Sequence, residues 1–98
     1  MTRLSGRFGA DHPAFAGHFP GNPVAPGVLL LAKVARAAAD ARGGAVDGVP
    51  AVKFLAPLRP GERFEIELDD AAGDAPVKFR VLRAAVLIAS GSLRLRRA

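Results

Sequence analysis

Several residue types are missing from this sequence or nearly so. Among its 98 residues there is no cysteine, tryptophan or tyrosine, and only one methionine. Without cysteine the chain has no disulfide and no thiolate metal site, which fits a reducing cytoplasm. No apolar leader stands at the N-terminus, and Lys33 and Arg36 interrupt the longest apolar run well short of the ~20 residues that span a membrane. We therefore expect a cytoplasmic protein with no signal peptide and no membrane segment.

Acidic residues are few, with nine Asp and Glu against fourteen Lys and Arg and a net charge of +5. Such a balance favours an acidic partner, although an arginine-rich proteome gives the same charge to an ordinary soluble domain. Nucleic acid is not expected, because the chain has no tryptophan or tyrosine for base stacking and no nucleic-acid motif. The length predicts a single domain over 1–98, and a chain this short gains buried area from a dimer interface.

The longest apolar run predicts a helix that begins at Pro26 and Gly27 and ends near Ala41. Proline is favoured at the first helical position because its missing N–H would have no partner there. The pair Gly43-Gly44 is a strong C-terminal signal. Because the first two turns are apolar on every side, we expect the helix to be buried on most of its faces.

The remainder of the chain predicts strands joined by turns. After the helix, apolar and polar residues alternate in segments that proline, glycine and aspartate separate, and this pattern predicts four strands. A further short strand is predicted before the helix. The expected ranges are 3–8, 49–58, 62–68, 77–82 and 86–96. This order is an α+β pattern, best satisfied by an antiparallel sheet of about five strands wrapped around one central helix.

A loop rich in proline and glycine lies between the first strand and the helix, at residues 9–25. Residues 17–29 read G-H-F-P-G-N-P-V-A-P-G-V-L. This segment closely resembles the signature of the 3-hydroxyacyl-acyl-carrier-protein dehydratases of fatty-acid synthesis, which have the hot-dog fold. Lys53-Phe54, with Pro57 and Pro60 after it, is similar to the strand and turn that follow the helix in that family. The resemblance implies a hot-dog fold for most of the chain.

The resemblance also implies the removal of water from a 3-hydroxyacyl thioester carried by an acyl carrier protein or by CoA. The base maps to His18, and the backbone N–H that holds the thioester carbonyl maps to Gly27. A neutral imidazole is a suitable base near neutral pH, and a helix N-terminus stabilises an enolate-like oxygen. By analogy, the Val24 carbonyl fixes the tautomer of the imidazole. Neither a metal nor a cofactor is implied. The expected substrate contacts are Phe19, Val24, Pro26 and Val28, and packing of the loop is an equal alternative for Phe19.

One position departs from the family pattern. Ala32 stands where the family has the acidic residue that protonates the leaving hydroxyl, and losing a general acid costs about 10²–10⁴-fold in rate. In one hypothesis the protein is still a dehydratase, and a water or another carboxylate, with Asp11 nearest in sequence, serves instead. In a second, it is the His-donating half of a heterodimer whose partner brings the acid. In a third, it binds acyl thioesters without dehydrating them.

The dimer follows from the same resemblance, because in the family the site lies across a dimer interface. We therefore expect a homodimer with strands paired between subunits, or a heterodimer with an acid-bearing homologue. Asp40 lies two turns further along the helix than Ala32 and is expected to point elsewhere.

Other candidates have weaker support. His12 is expected to cap or pack the loop, and no third ligand accompanies it and His18 for a metal. Ser90 and Ser92 have no neighbouring histidine motif for a nucleophilic triad. Basic residues on the last two strands form either a solvated sheet face or a docking surface for an acidic carrier protein. They are Lys78, Arg80, Arg83, Arg94, Arg96 and Arg97.

Overall fold

The computed structural model describes residues 1–9, 27–70 and 75–96, so most of the loop predicted at 9–25 lies outside these ranges. Within them the chain forms one helix and five strands in the predicted order. The elements are β1 Thr2–Arg7, α1 Gly27–Arg42, β2 Ala45–Phe54, β3 Arg63–Leu68, β4 Val77–Arg83 and β5 Val86–Arg96. The α+β prediction is confirmed.

The five strands form one antiparallel sheet in the order β1-β3-β4-β5-β2. Strands β3, β4 and β5 are consecutive neighbours, whereas β1 and β2 lie on opposite edges. The chain therefore crosses the width of the sheet twice, first with α1 between β1 and β2, and then with the 55–62 loop between β2 and β3. Residues of both crossings line one cavity.

One face of the sheet is apolar and packs against α1. On β3 and β4 every second residue is buried, as predicted: Phe64, Ile66 and Leu68, then Val77, Phe79 and Val81. The helix contributes Leu30, Val34 and Ala38, which four-residue spacing places on one side. Each large apolar side chain buried in this way stabilises the fold by about 1.5–3 kcal/mol. The opposite face of the sheet carries most of the charged residues and faces solvent.

The helix ends as predicted but is less covered than predicted. Gly43 follows it with a φ of 75°, and its N–H donates to the Ala39 carbonyl at 2.9 Å, a left-handed end that glycine adopts without strain. The expectation of burial on most faces is wrong for the N-terminal half, because Val28 is 80% exposed and Ala32 is exposed as well. The sheet covers one side of α1, and the described part of the chain supplies no second layer over the other side.

Strand β2 is displaced from its predicted range of 49–58, since it begins at Ala45 and ends at Phe54. Its first half pairs with β5 through register shifts, which an alternating apolar pattern does not reveal. Pro50 lies inside the strand, where its missing N–H is tolerated because β2 is an edge strand and is irregular at this point. Residues 55–58 leave the sheet and form the first part of the 55–62 loop.

Gly91 on β5 allows β2 to lie close. A Cβ placed on this residue would overlap the Ala51 carbonyl oxygen and would lie 2.9 Å from the Val52 Cα and 3.0 Å from the ring of Phe79. Two of these neighbours are backbone atoms and the third is a buried ring, so little can shift to make room. Packing therefore requires glycine here.

The β4–β5 hairpin turns through Ala84 and Ala85, which have positive φ angles of 50° and 68°. Two consecutive left-handed residues are typical of a tight hairpin turn for which Asn-Gly is strongly preferred. The left-handed conformation costs an alanine about 1–2 kcal/mol. The turn predicted near 83–85 is confirmed, and the structure adds that it is strained.

Candidate functional site

The start of α1 is the chemically distinctive end of the helix. Gly27 is its first residue, and no acidic side chain stands in the first turn. The first N–H groups of a helix have no partner within the helix, and the helix dipole places partial positive charge there. Such an end favours an oxygen atom that carries or develops negative charge.

The ring of Phe54 lies directly against Gly27. A Cβ on Gly27 would lie 2.9 Å from the Cζ and 3.0 Å from the Cε2 of this ring, so the contact is possible only because the residue is glycine. Phe54 is the last residue of β2, and its side chain remains 50% exposed. An aromatic side chain from the edge strand therefore packs on the helix start.

A cavity of about 390 Å³ opens beside this contact. Gly27 and Leu30 line it from the helix, Phe54 lines it from β2, and residues 55–58 form the rest of the described wall. These side chains are all apolar, so the cavity suits a hydrocarbon chain whose polar end lies at the helix start.

Of the described residues that line the cavity, none has a side chain that can transfer a proton. Seven carboxylates lie in the ranges that the structure describes, and each of them contacts a cation. The pairs are Asp40 with Arg36, Asp47 with Arg94, Glu62 with Arg83, Glu65 with Arg3, Glu67 with Arg3 and Arg80, Asp69 with Arg80, and Asp70 with Arg42 and the N-terminus. As expected, Asp40 is directed elsewhere.

Ala32 lies on the exposed side of α1, four residues after Val28. Residues at this spacing share one helix face, with Cβ atoms about 5–6 Å apart. Phe54 and Leu55 are also exposed, at 50% and 56%. The region around the helix start is therefore apolar, and the described residues leave it uncovered.

Only part of the predicted site falls within the described residues. Gly27 lines the cavity, and Val28 follows it on the exposed face of the helix. The remaining predicted site residues lie outside the described ranges, as do two further candidates: His18, Phe19, Val24 and Pro26, then His12 and Asp11. Their roles stay predictions.

The outer face of the sheet holds an ion-pair network that takes no part in the cavity wall. Arg80 donates to the Oε1 of Glu67 at 3.1 Å and to the Oδ1 of Asp69 at 2.6 Å. The hydrogen bond from Arg80 lowers the pKa of each carboxyl, and the same two bonds raise the pKa of Arg80. Within the predicted basic cluster, Arg80, Arg83 and Arg94 are thus engaged by carboxylates of their own chain.

Two features are absent from the residues that the structure describes. Residues 1–9, 27–70 and 75–96 contain no group of three or more His, Cys, Asp or Glu that could hold a metal ion. Nor does this part of the chain contain a helix long and apolar enough to cross a membrane.

The cavity wall at residues 55–58 was not predicted from the sequence. The pattern predicts one strand over 49–58, whereas the strand ends at Phe54 and residues 55–58 turn to line the cavity. Pro57 could have indicated that the strand ends before it, because proline is disfavoured inside a strand.

Comparison with known proteins agrees with this geometry. The family model of the ApeI-like dehydratases, described as ApeI dehydratase, matches residues 2–92. The 3-hydroxyacyl-acyl-carrier-protein dehydratase FabZ of Thermomicrobium roseum is 39% identical over 67 residues, which cover 59% of this chain and 45% of that relative. The chain spans about half the length of the curated relatives it matches.

Two solved structures share the fold. A chain of the dehydratase heterocomplex ApeI:P from Xenorhabdus doucetiae superposes with a TM-score of 0.83 and 26% identity, covering 97% of this chain and 86% of that one. The (R)-hydratase from A. caviae involved in PHA biosynthesis superposes with a TM-score of 0.72, covering 99% of this chain and 93% of the hydratase chain. Because the two sequences are only 20% identical, this likeness shows the fold alone. The predicted hot-dog fold is confirmed. Because the family model spans nearly all of its residues, the chain belongs to the ApeI-like dehydratase family.

Proposed function

We propose that this protein takes part, in the cytoplasm, in removing water from a 3-hydroxyacyl thioester carried by an acyl carrier protein or by CoA. The observation that carries the proposal is the helix start at Gly27, which borders an apolar cavity of about 390 Å³. The cavity suits an acyl chain, and an N–H group at a helix start suits the thioester oxygen beside it. Membership of the ApeI-like dehydratase family and the FabZ relative support the same chemistry.

Each step of the reaction except the protonation of the leaving hydroxyl is assigned to a named group of this chain. The imidazole of His18 takes a proton from the α-carbon, and the electron pair of that C–H bond forms the C=C bond as the hydroxyl leaves the β-carbon. The Gly27 N–H donates to the thioester carbonyl oxygen, where negative charge develops during proton removal. The hydroxyl takes a proton from an acid and leaves as water. The Val24 carbonyl orients the imidazole, and Phe19, Pro26 and Val28 contact the substrate.

We assign the acid to a second protein. Every described carboxylate of this chain contacts a cation, and none of them lines the cavity. Ala32 is exposed on the same helix face as Val28, where a partner can reach it. An acid-bearing homologue seated over this face would complete the site with its own carboxylate. The similar chain from Xenorhabdus doucetiae belongs to a dehydratase heterocomplex, which favours this arrangement over a self-sufficient homodimer.

The partner is proposed to bind along β2 and the start of α1. Because β2 is an edge strand, its outer backbone groups are available to a further strand. Val28, Phe54 and Leu55 present exposed apolar surface on the neighbouring elements. A strand added from the partner would extend the sheet across the dimer and bring the second subunit over these side chains.

An assay for the dehydration of a 3-hydroxyacyl thioester tests the proposal in three samples. The rate is measured as the appearance of the enoyl thioester. The protein alone is expected to be nearly inactive, and an acid-bearing homologue encoded with it is expected to restore turnover. His18→Ala is expected to abolish the activity of the mixture while leaving the complex intact on size-exclusion chromatography. Acyl-thioester binding without turnover in every sample would identify a binding protein instead and overturn the proposal.

Full activity of the protein alone would contradict the assignment of the acid to a partner. Asp11→Asn then decides whether that carboxylate serves, since it removes the proton donor and keeps the size of the side chain. An unchanged rate in Asp11→Asn would point to a bound water as the donor.

A further inference from the structure

Positive charge is left unbalanced in the part of the chain that the structure describes. All seven described carboxylates contact cations, but many described Lys and Arg side chains contact none of these seven. These cations are Arg7, Lys33, Lys53, Arg59, Arg63, Lys78 and Arg96. Three of them lie at one end of the sheet, and we name Arg7, Arg59 and Arg63 the arginine cluster.

Arg7 and Arg63 lie directly opposite each other. They are register partners on the antiparallel strands β1 and β3, so both side chains leave the same face, with Cβ atoms about 4.5–5.5 Å apart. Both are exposed, and the burial of the adjoining Phe8 and Phe64 places the core on the opposite face. Like charges at such a position destabilise a sheet unless an anion lies between them.

The 55–62 loop brings the third arginine to the same end. The Gly61 N–H donates to the Phe8 carbonyl at 2.8 Å, which ties the loop to the residue that follows Arg7. Within the loop, the Glu62 N–H donates to the Arg59 carbonyl at 3.2 Å, and the Arg59 N–H donates to the Glu62 carboxylate at 2.7 Å. This turn is therefore closed at both ends, and it holds Arg59 close to the paired strands.

The nearby carboxylates do not balance this charge. Glu62 has its own arginine, Arg83, with an N···O distance of 3.5 Å. Glu65 is paired with Arg3 at 3.6 Å. Among the described residues, the arginine cluster therefore keeps an excess of positive charge, which Arg7 and Arg63 direct to the outer side of the sheet.

We propose that the arginine cluster binds the phosphate group of the carrier that bears the acyl thioester; this rests on the proposed function. Guanidinium groups present N–H donors in a fork that matches phosphate oxygens, and facing arginines can hold one phosphate from two sides. The position also fits, because residues 55–58 at the start of the loop line the cavity and the loop ends at Arg63. Five residues of extended chain span at most ~18 Å, so Arg63 lies within that distance of Leu58, the last residue of the described cavity wall.

Calorimetric titration with 4′-phosphopantetheine and with pantetheine tests the proposal, since the two probes differ only in the phosphate. The protein is expected to bind the phosphorylated probe more tightly. Arg7→Gln and Arg63→Gln are each expected to weaken its binding about tenfold and to leave pantetheine unaffected. Arg96→Gln is the matched control, because it removes the same charge from an exposed arginine opposite Ala45 and is expected to change neither affinity.

The variants remain interpretable, because removing one of two facing like charges is expected to leave the melting temperature unchanged or higher. Two further titrations of this protein, one with CoA and one with a carrier protein that bears its phosphopantetheine arm, then identify which carrier supplies the phosphate. Equal affinity for both probes, or an equal loss in Arg63→Gln and Arg96→Gln, would overturn the proposal. These titrations measure binding without turnover. A failure of the phosphate proposal can therefore be told apart from a failure of the proposed dehydratase function.

Discussion

A carboxylic acid at position 32 is expected to make this protein a self-sufficient dehydratase. Ala32 lies five residues after Gly27, about 7.5 Å further along the helix axis, on the exposed face that the proposed partner covers. A glutamate there meets no buried neighbour, and its lower helix propensity costs at most about 0.5 kcal/mol. In a homodimer of Ala32→Glu chains, the new carboxyl of one subunit would serve the thioester bound at the helix start of the other.

The expected gain is the contribution of one general acid. That contribution is about 10²–10⁴ in rate, or about 2.7–5.4 kcal/mol of the activation free energy. The assay is the kcat for dehydration of a 3-hydroxyacyl thioester by the protein alone. Ala32→Gln is the matched control, since its side chain has the same size and no acidic proton, and it is expected to keep the low rate of the wild type. Adding His18→Ala to Ala32→Glu is expected to remove the gain, because the base is lost.

Equal rates for Ala32→Glu and Ala32→Gln would refute the reasoning, provided that both variants keep the wild-type circular dichroism and still bind the acyl thioester. Position 32 would then not face the reacting hydroxyl. A gain that survives His18→Ala would refute a different step, because the base would have to lie elsewhere.

Three further predictions concern stability. Replacing Ala84 and Ala85 by Asn-Gly is expected to raise the free energy of unfolding by about 1–2 kcal/mol, measured by urea denaturation with an unchanged m-value, because the strained turn is relieved. Gly91→Ala is expected to lower it by about 1–3 kcal/mol and to speed hydrogen exchange in β2, because the added Cβ meets backbone atoms. Acid is expected to destabilise the fold below pH ~4. The hydrogen bond from Arg80 lowers the pKa of Glu67 in the folded protein, so as the pH falls the unfolded chain binds a proton at Glu67 before the folded chain does. The stabilisation that this ion pair contributes is therefore lost as the pH falls through the lowered pKa. Arg80→Gln should flatten that part of a stability-against-pH curve, and an unchanged slope would contradict the assignment.

Local patterns were enough to predict most elements of this fold. Strands β3 and β4 have one buried face each, so the alternation of apolar and polar residues marks them directly. In β5 the alternation is confined to the last residues, because the adjacent Ile88 and Ala89 are both buried. Helix α1 is followed by Gly43, and glycine is the residue typical of the left-handed backbone that ends a helix. The edge strand β2 was misplaced by four residues, because its pairing with β5 passes through register shifts and its apolar residues are not confined to one face.

The sequence by itself determined the family, through the G-H-F-P-G-N-P-V-A-P-G-V-L segment, and the same resemblance implies that Ala32 stands where the family has its acid. Only the tertiary structure decided that Phe54 packs on Gly27, that residues 55–58 line a cavity there, and that Ala32 lies on an exposed face of the helix. The structure alone also placed Arg7 opposite Arg63. The physical reason is the same in each case: these contacts join segments far apart in the chain, and the order and register of the strands set them, whereas a periodic pattern reports only which face of its own element is buried.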